Sequence, residues 1–136
     1  MKLTRSVGYA VGILLQMTSD STGETLTAAR ISRGCKFPPR FLYRVLRRLV
    51  DAGLLTGVSG PHGGYGLARP ARQINLLEIV QAVEETVDGG TLVAASPKHR
   101  AAIAKINALN DKHSARFERE LAKVKLSQLA SGQRRR

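Results

Sequence analysis

The run Gly60-Pro61-His62-Gly63-Gly64 constrains this chain more than any other stretch. Glycine tolerates backbone conformations closed to other residues, and proline removes a backbone donor, so neither a helix nor a strand passes through this segment. It must be a turn. On its N-terminal side Leu54 to Ser59 contains Leu55 and Val58 and reads as a strand, and on its C-terminal side Tyr65 to Ala68 offers the return strand.

Just upstream, Pro38 and Pro39 suit the start of a helix, and Phe41, Leu42, Val45, Leu46 and Leu49 recur at steps of three and four until Gly53 ends it. A shorter helix precedes it, capped by Thr27 and carrying Ala28, Ala29 and Ile31 up to Gly34, with a tight turn between the two. Helix, turn, helix and a two-stranded hairpin compose a winged helix-turn-helix. The expected class is therefore mainly α, with the wing as its β component.

The flanking segments extend this plan. Val7, Ala10, Val11, Leu14 and Leu15 recur on one helical face, with Thr4 as the N-cap candidate. Two basic residues followed by the apolar stretch from Val7 to Met17 mimic a short signal peptide, but no small-x-small cleavage site follows and the stretch is too short to span a membrane, so it is expected to be a core helix. After the wing, Ile74, Leu77, Ile79, Val80 and Val83 form another amphipathic helix, capped by Asn75 and closing near Asp88-Gly89-Gly90. Thr91 to Pro97 reads as a loop. From about Lys98 to Ala130 there is no Gly or Pro, which predicts one long helix or two.

That C-terminal segment carries a narrow apolar stripe of Ile106, Leu109, Phe117, Leu121 and Val124, with His113 in register, among dense Lys, Arg and Glu. A stripe this narrow on a helix this long packs against a partner helix, so these six residues are the expected homodimer seam. Asn110 beside the stripe either fixes register or is merely solvated. The expected division is a DNA-binding domain at 1–90, a linker and dimerisation helix at 91–130, and a basic disordered tail at 131–136 that ends in Arg134-Arg135-Arg136.

Charge narrows the function. The chain has 136 residues, with 22 Lys and Arg against 10 Asp and Glu, a formal net charge of +12. With 43% hydrophobic residues in periodic patterns it is no disordered basic tail, and the excess positive charge favours a polyanionic partner, either nucleic acid or an anionic membrane surface. The single cysteine excludes a disulfide framework, a four-cysteine zinc site and a cluster held by cysteines alone, and it fits a reducing cytoplasm.

Seven basic residues, Arg30, Arg33, Lys36, Arg40, Arg44, Arg47 and Arg48, occur with no acid among them before Asp51. Arg40, Arg44, Arg47 and Arg48 lie at spacings of three and four, forming a cationic face opposite Phe41, Leu42, Val45 and Leu49. Charge runs are usually solvated faces, but this one lies on the second helix of a helix-turn-helix, whose N-terminal residues meet base edges in double-stranded DNA. With Pro39 at its start, Arg40, Tyr43 and Arg44 are the base-reading candidates. Lys2, Arg5, Lys36, Arg47 and Arg48 are candidates for backbone contact, and Ser59, His62 and Gly63 for the wing tip, where glycines let amides approach phosphate and His62 can enter a minor groove.

Enzymatic readings fail on their motifs. His62-Gly63-Gly64 resembles an esterase oxyanion loop and the glycines a phosphate cradle, yet the chain has neither a Ser elbow between glycines nor a Gly-rich loop ending in Lys-Ser or Lys-Thr. No catalytic constellation remains. His99 and His113, 14 residues apart, lack the spacing of metal ligands on one helix.

Leu3-Thr4-Arg5, Tyr9-Ala10-Val11, Ala52-Gly53-Leu54-Leu55, the stretch from Gly60 through Gly66-Leu67-Ala68-Arg69-Pro70, and Ile74-Asn75-Leu76-Leu77-Glu78-Ile79 together resemble the Rrf-two family of bacterial transcription factors, which includes the iron-sulfur cluster regulator and the cysteine-metabolism repressor. The resemblance covers nearly the whole chain, weakly after Gly90, and the wing motif is its most specific part. It implies a dimeric winged-helix repressor with a long C-terminal dimerisation helix. By position it puts Arg40, Tyr43 and Arg44 at the base-contacting start of the recognition helix, and Ser59 to Gly64 on the wing. Ser59 departs from the basic residue many members carry there.

Cluster-binding members carry three cysteines between the helix after the wing and the dimerisation helix. This chain has none there, and Thr91 to His99 offers only Thr, Ser and His, so the expectation is no cofactor and similarity to the cluster-free YwnA-like branch. Cys35 precedes the recognition helix between Arg33 and Lys36, neighbours that favour thiolate. It is either a small packing residue in the turn or a redox sensor. The expected function is a cytoplasmic homodimeric repressor on a pseudo-palindromic operator, with a small-molecule or oxidant effector and no membrane partner. The alternative is a winged-helix module for RNA or protein assembly, which would show little preference among duplex sequences.

Overall fold

In the computed structural model, residues 3–19, 25–34, 38–61, 63–84 and 92–133 are described. Helix α1 spans Arg5–Ser19, α2 Ala28–Gly34 and α3 Pro39–Asp51. Strands β1 (Leu55–Val58) and β2 (Gly64–Leu67) follow, then a 3-10 turn at Ala71–Gln73, α4 (Leu76–Val83), a second 3-10 turn at Pro97–His99, α5 (Arg100–Ala122) and α6 (Leu126–Gln133).

The local signals work as their chemistry dictates. The Arg30 amide donates to Thr27 Oγ1 at 3.2 Å at the start of α2, and the Glu78 amide donates to Asn75 Oδ1 at 3.0 Å at the start of α4. Pro38 occupies the cap position of α3 and Pro39 its first turn, where the missing N–H costs nothing. At the other end the chain reverses through Gly53 at φ 76°, a conformation open to glycine. Thr4 does immediately precede α1, with its carbonyl accepting from the Val7 and Gly8 amides, but its hydroxyl donates to Glu84.

The strands pair antiparallel with Leu55 opposite Leu67 and Val58 opposite Gly64. Leu55 is buried, whereas Val58, three residues on and so on the opposite face of the strand, is 52% exposed. The wing is pinned at its base by a third segment: the Leu26 amide donates to the Tyr65 carbonyl at 2.9 Å and the Tyr65 amide to the Leu26 carbonyl at 2.8 Å. Gly64 makes this approach possible, since a Cβ there would lie 2.6 Å from the Leu26 carbonyl oxygen.

One apolar core joins α1, α2, α3, α4, β1 and the C-terminal segment, with Ile13, Ile31, Leu46, Leu49, Ile79 and Leu126 among its fully buried members. The last member ties the C-terminal segment to the core of the N-terminal helices. Helix α5 stops at Ala122, and the backbone stitches itself to the start of α4, where the Leu76 amide donates to Val124 and the Leu126 amide to Ile74, both at 2.8 Å. Helix α6 then packs along α1. This places Leu121, 6% exposed, and Leu126 inside their own chain's core. Leu121, expected in the dimer seam, has its apolar surface covered by its own chain. Residues 131–133, expected in a tail, belong to α6, while 134–136 lie outside the described residues. Helix α4, expected to close near Asp88, ends at Val83, with Glu84 already extended.

Candidate nucleic-acid interface

Helix α3 is amphipathic in the strict sense: Leu42, Val45, Leu46 and Leu49 are at most 3% exposed, and Arg40, Tyr43, Arg44 and Arg47 cover the opposite side in solvent. Its hydrophobic anchor fixes the helix, and the cations project from a rigid element. Arg47 lies 4.0 Å from Asp51 one turn on, a loose pair between two highly exposed side chains that water screens. Phe41 does not share the buried face as expected; it is 45% exposed, its ring centroid 6.4 Å from that of Tyr9. The helix rotates it to the boundary between core and solvent.

Arg48 differs from its neighbours. Half-buried, it donates from Nη1 to the Val83 carbonyl at 2.6 Å, an intrachain bond that draws it off the outer face, against its expected role as a backbone clamp. Arg5 is exposed in the first turn of α1.

The wing stands beside α3. Tyr43 and Arg47 from the helix and Val58, Ser59, Gly60 and Gly63 from the hairpin line one open cleft of about 640 Å³, together with Thr27 and Tyr65. The Gly63 amide closes the turn by donating to the Gly60 carbonyl at 2.9 Å, and a Cβ on Gly63 would come within 2.1 Å of the Val58 carbonyl oxygen, so no larger residue fits without moving the tip. Lys2, Cys35, Lys36 and His62 lie outside the described residues. The base-pinning role of Leu26 was not legible beforehand; a lone leucine beside a polar loop carries no periodic signal.

Of the remaining expected seam residues, Ile106 is 47% and Leu109 68% exposed, and His113 is exposed beside them. Phe117 packs against the core, and Val124 is half-buried with its carbonyl bonded to Leu76. Sequence reading missed the extended segment that runs along α5: Asn107 accepts from the Leu92 amide at 2.9 Å and donates to the Leu92 carbonyl at 3.0 Å, holding exposed Leu92 and Val93 beside Ile103.

Among the described residues no group of three His, Cys, Asp or Glu could hold a metal ion, and no helix is long and apolar enough to cross a membrane. With one cysteine in the whole chain, a cluster ligated by three cysteines does not fit this donor set.

Comparison with known proteins agrees with this geometry. Residues 3–132 match the family model Rrf2, described as an iron-dependent transcriptional regulator. The HTH-type transcriptional regulator IscR of Cereibacter sphaeroides is 40% identical over 90 residues, covering 65% of this chain and 58% of that protein. IscR of Escherichia coli O1:K1 / APEC is 35% identical over 88 residues, covering 65% and 54%. The chain thus spans about half the length of the curated relatives it matches. Among solved structures, CymR, the global cysteine regulator of B. subtilis, superposes with a TM-score of 0.68 at 19% identity, covering 96% of this chain and 97% of that one. IscR of T. potens gives 0.68 at 20% identity, covering 97% and 88%.

Proposed function

The chain belongs to the Rrf2 family of transcriptional regulators, a family of regulators rather than enzymes, and on that premise we propose that it is a cytoplasmic, homodimeric, sequence-specific repressor that binds a pseudo-palindromic operator. The observation that carries this reading is α3: four buried aliphatic residues hold a helix whose outer face offers Arg40, Tyr43, Arg44 and Arg47 next to a wing. A helix of this width fits the major groove, where Arg forks onto guanine and Tyr meets a thymine methyl or a phosphate. Arg40, Tyr43 and Arg44 read bases; Arg47, Arg5 and the wing tip at Ser59 and Gly63 follow the phosphates.

Dimerisation runs through the exposed part of α5, Ile106, Leu109 and His113, extended by Leu92 and Val93. Two wings on a two-fold axis address half-sites about one helical turn, roughly 34 Å, apart or a multiple of it. The inducer is a small molecule or an oxidant. Selection of genomic fragments by the purified protein, with and without oxidant, tests the whole reading. Recovery of one inverted-repeat motif supports it, and recovery of fragments without sequence preference overturns it in favour of an assembly module.

A further inference from the structure

Helix α5 sorts its charges by face. At about 100° per residue, Lys105, Lys112, Arg116, Arg119 and the C-cap Lys123 fall within an arc of about 60°, and all five are exposed, while Arg100 at the helix start lies on the far side. Asp111 and Glu118 lie on the far flank of the helix, and Glu120 sits at the stripe's edge, where it makes a loose 3.7 Å pair with Lys123. From Lys105 to Lys123 the stripe runs about 27 Å along the axis, and from Lys112 onward the cations rise in steps of about 4.5 to 6 Å.

This pattern works against the helix itself. Lys112 and Arg116, Arg116 and Arg119, and Arg119 and Lys123 are like-charged neighbours at spacings of four, three and four, each mildly destabilising, where alternating signs would have stabilised the same turns. A polyanion laid along the stripe reverses that sign. The stripe is separate from the recognition helix; Ile106 and His113 lie about a quarter turn from it and Leu109 borders it beside Arg116, so a helix paired through those residues keeps its cations along the rim.

We propose that the cationic stripe of α5 is a second phosphate-contacting surface for duplex DNA, engaging the backbone of a flanking or looped segment beyond the reach of the winged helix. The proposal rests on the reading of the chain as a DNA-binding regulator. Duplex DNA fits better than an acidic peptide because its phosphates form a continuous, regularly spaced line, matching a row of cations on a rigid helix in a chain of net charge +12.

The test is the salt dependence of binding by the full chain to random-sequence duplexes of about 20 and about 60 base pairs between about 50 and 200 mM salt. Substituting Lys112→Gln, Arg116→Gln, Arg119→Gln and Lys123→Gln together should lower the log-log salt slope on the long duplex by about 0.9 per lost contact and weaken low-salt binding at least about tenfold. The short duplex should change far less. The pair Lys112→Gln and Arg116→Gln should remove about half of the slope change, and because these side chains are exposed and their removal relieves like-charge repulsion, thermal melting should not fall below wild type. An unchanged slope on the long duplex overturns the proposal, as does equal competition by a polyglutamate chain, which would mark an acidic protein partner. Arg40→Ala with Arg44→Ala, measured on a duplex recovered by the genomic-fragment selection, separates the two surfaces: if that pair has no effect there while the stripe variant loses binding to the long duplex, the recognition-helix reading fails and this one stands.

Discussion

Arg48 Nη1 donates to the Val83 carbonyl oxygen at 2.6 Å, tying the last turn of α3 to the last turn of α4. Beside it Thr4 donates to Glu84, so the end of α4 is bound both to α3 and to the start of α1. The bond is charge-assisted and half-buried. Arg48→Ala should lower folding stability by about 1 kcal/mol, at the modest end for a charged donor because water reaches the site, as read from the urea midpoint. The salt slope of DNA binding should stay as in wild type. A slope lower by about one would show instead that Arg48 spends its charge on phosphate.

The outer face of α3 divides by role. Arg40→Ala or Arg44→Ala should cost about 1 to 3 kcal/mol on the operator and relax preference at particular base pairs. Arg47→Ala should weaken all sequences alike and reduce the salt slope by about one. Equal losses on operator and random duplex for Arg40 and Arg44 would contradict base reading. Tyr43→Phe reports whether the hydroxyl takes part.

The dimer seam is testable in the full chain, where truncation after Gly90 is not a clean experiment because it strips Leu121 and Leu126 from the core. Ile106→Glu with Leu109→Glu should convert the protein to a monomer in sedimentation without lowering its melting temperature, since both side chains are exposed. A dimer of unchanged strength would move the seam elsewhere. Leu126→Ala, by contrast, should destabilise by about 2 to 5 kcal/mol, as for a fully buried leucine, and leave the association state of the remaining folded protein unaltered.

The donor set predicts a colourless protein even when prepared without oxygen. Visible absorption with bound iron would overturn that. If oxidant is the inducer, Cys35 must respond alone, through a mixed disulfide, a sulfenic acid or a bond between subunits. An adduct would add bulk shortly before Pro38, Pro39 and Arg40, so oxidant should release DNA from wild type and not from Cys35→Ser. Equal insensitivity of both proteins assigns Cys35 to packing and directs the search to a small-molecule effector.

The sequence determined what depends on neighbours a few residues away. Thr27 and Asn75 cap helices because each bonds the amide three residues on, Pro39 starts α3 because its ring suits the first turn, and the chain turns after Gly60 because glycine takes the positive φ that other residues rarely adopt. The amphipathic face of α3, and with it the candidate Arg40, Tyr43, Arg44 and Arg47 surface, follows from spacing alone. Tertiary structure decided what each apolar face meets. Periodicity marks Leu121 as apolar in the same way as Leu109, yet Leu121 is buried in its own chain and Leu109 is 68% exposed. The difference comes from backbone bonds between Val124 and Leu76 and between Leu126 and Ile74, partners about 50 residues apart that end α5 where no Gly or Pro marks a break. The pinning of the wing by Leu26 and the withdrawal of Arg48 to Val83 have the same origin: each hydrogen bond needs a partner brought near only when the core assembles.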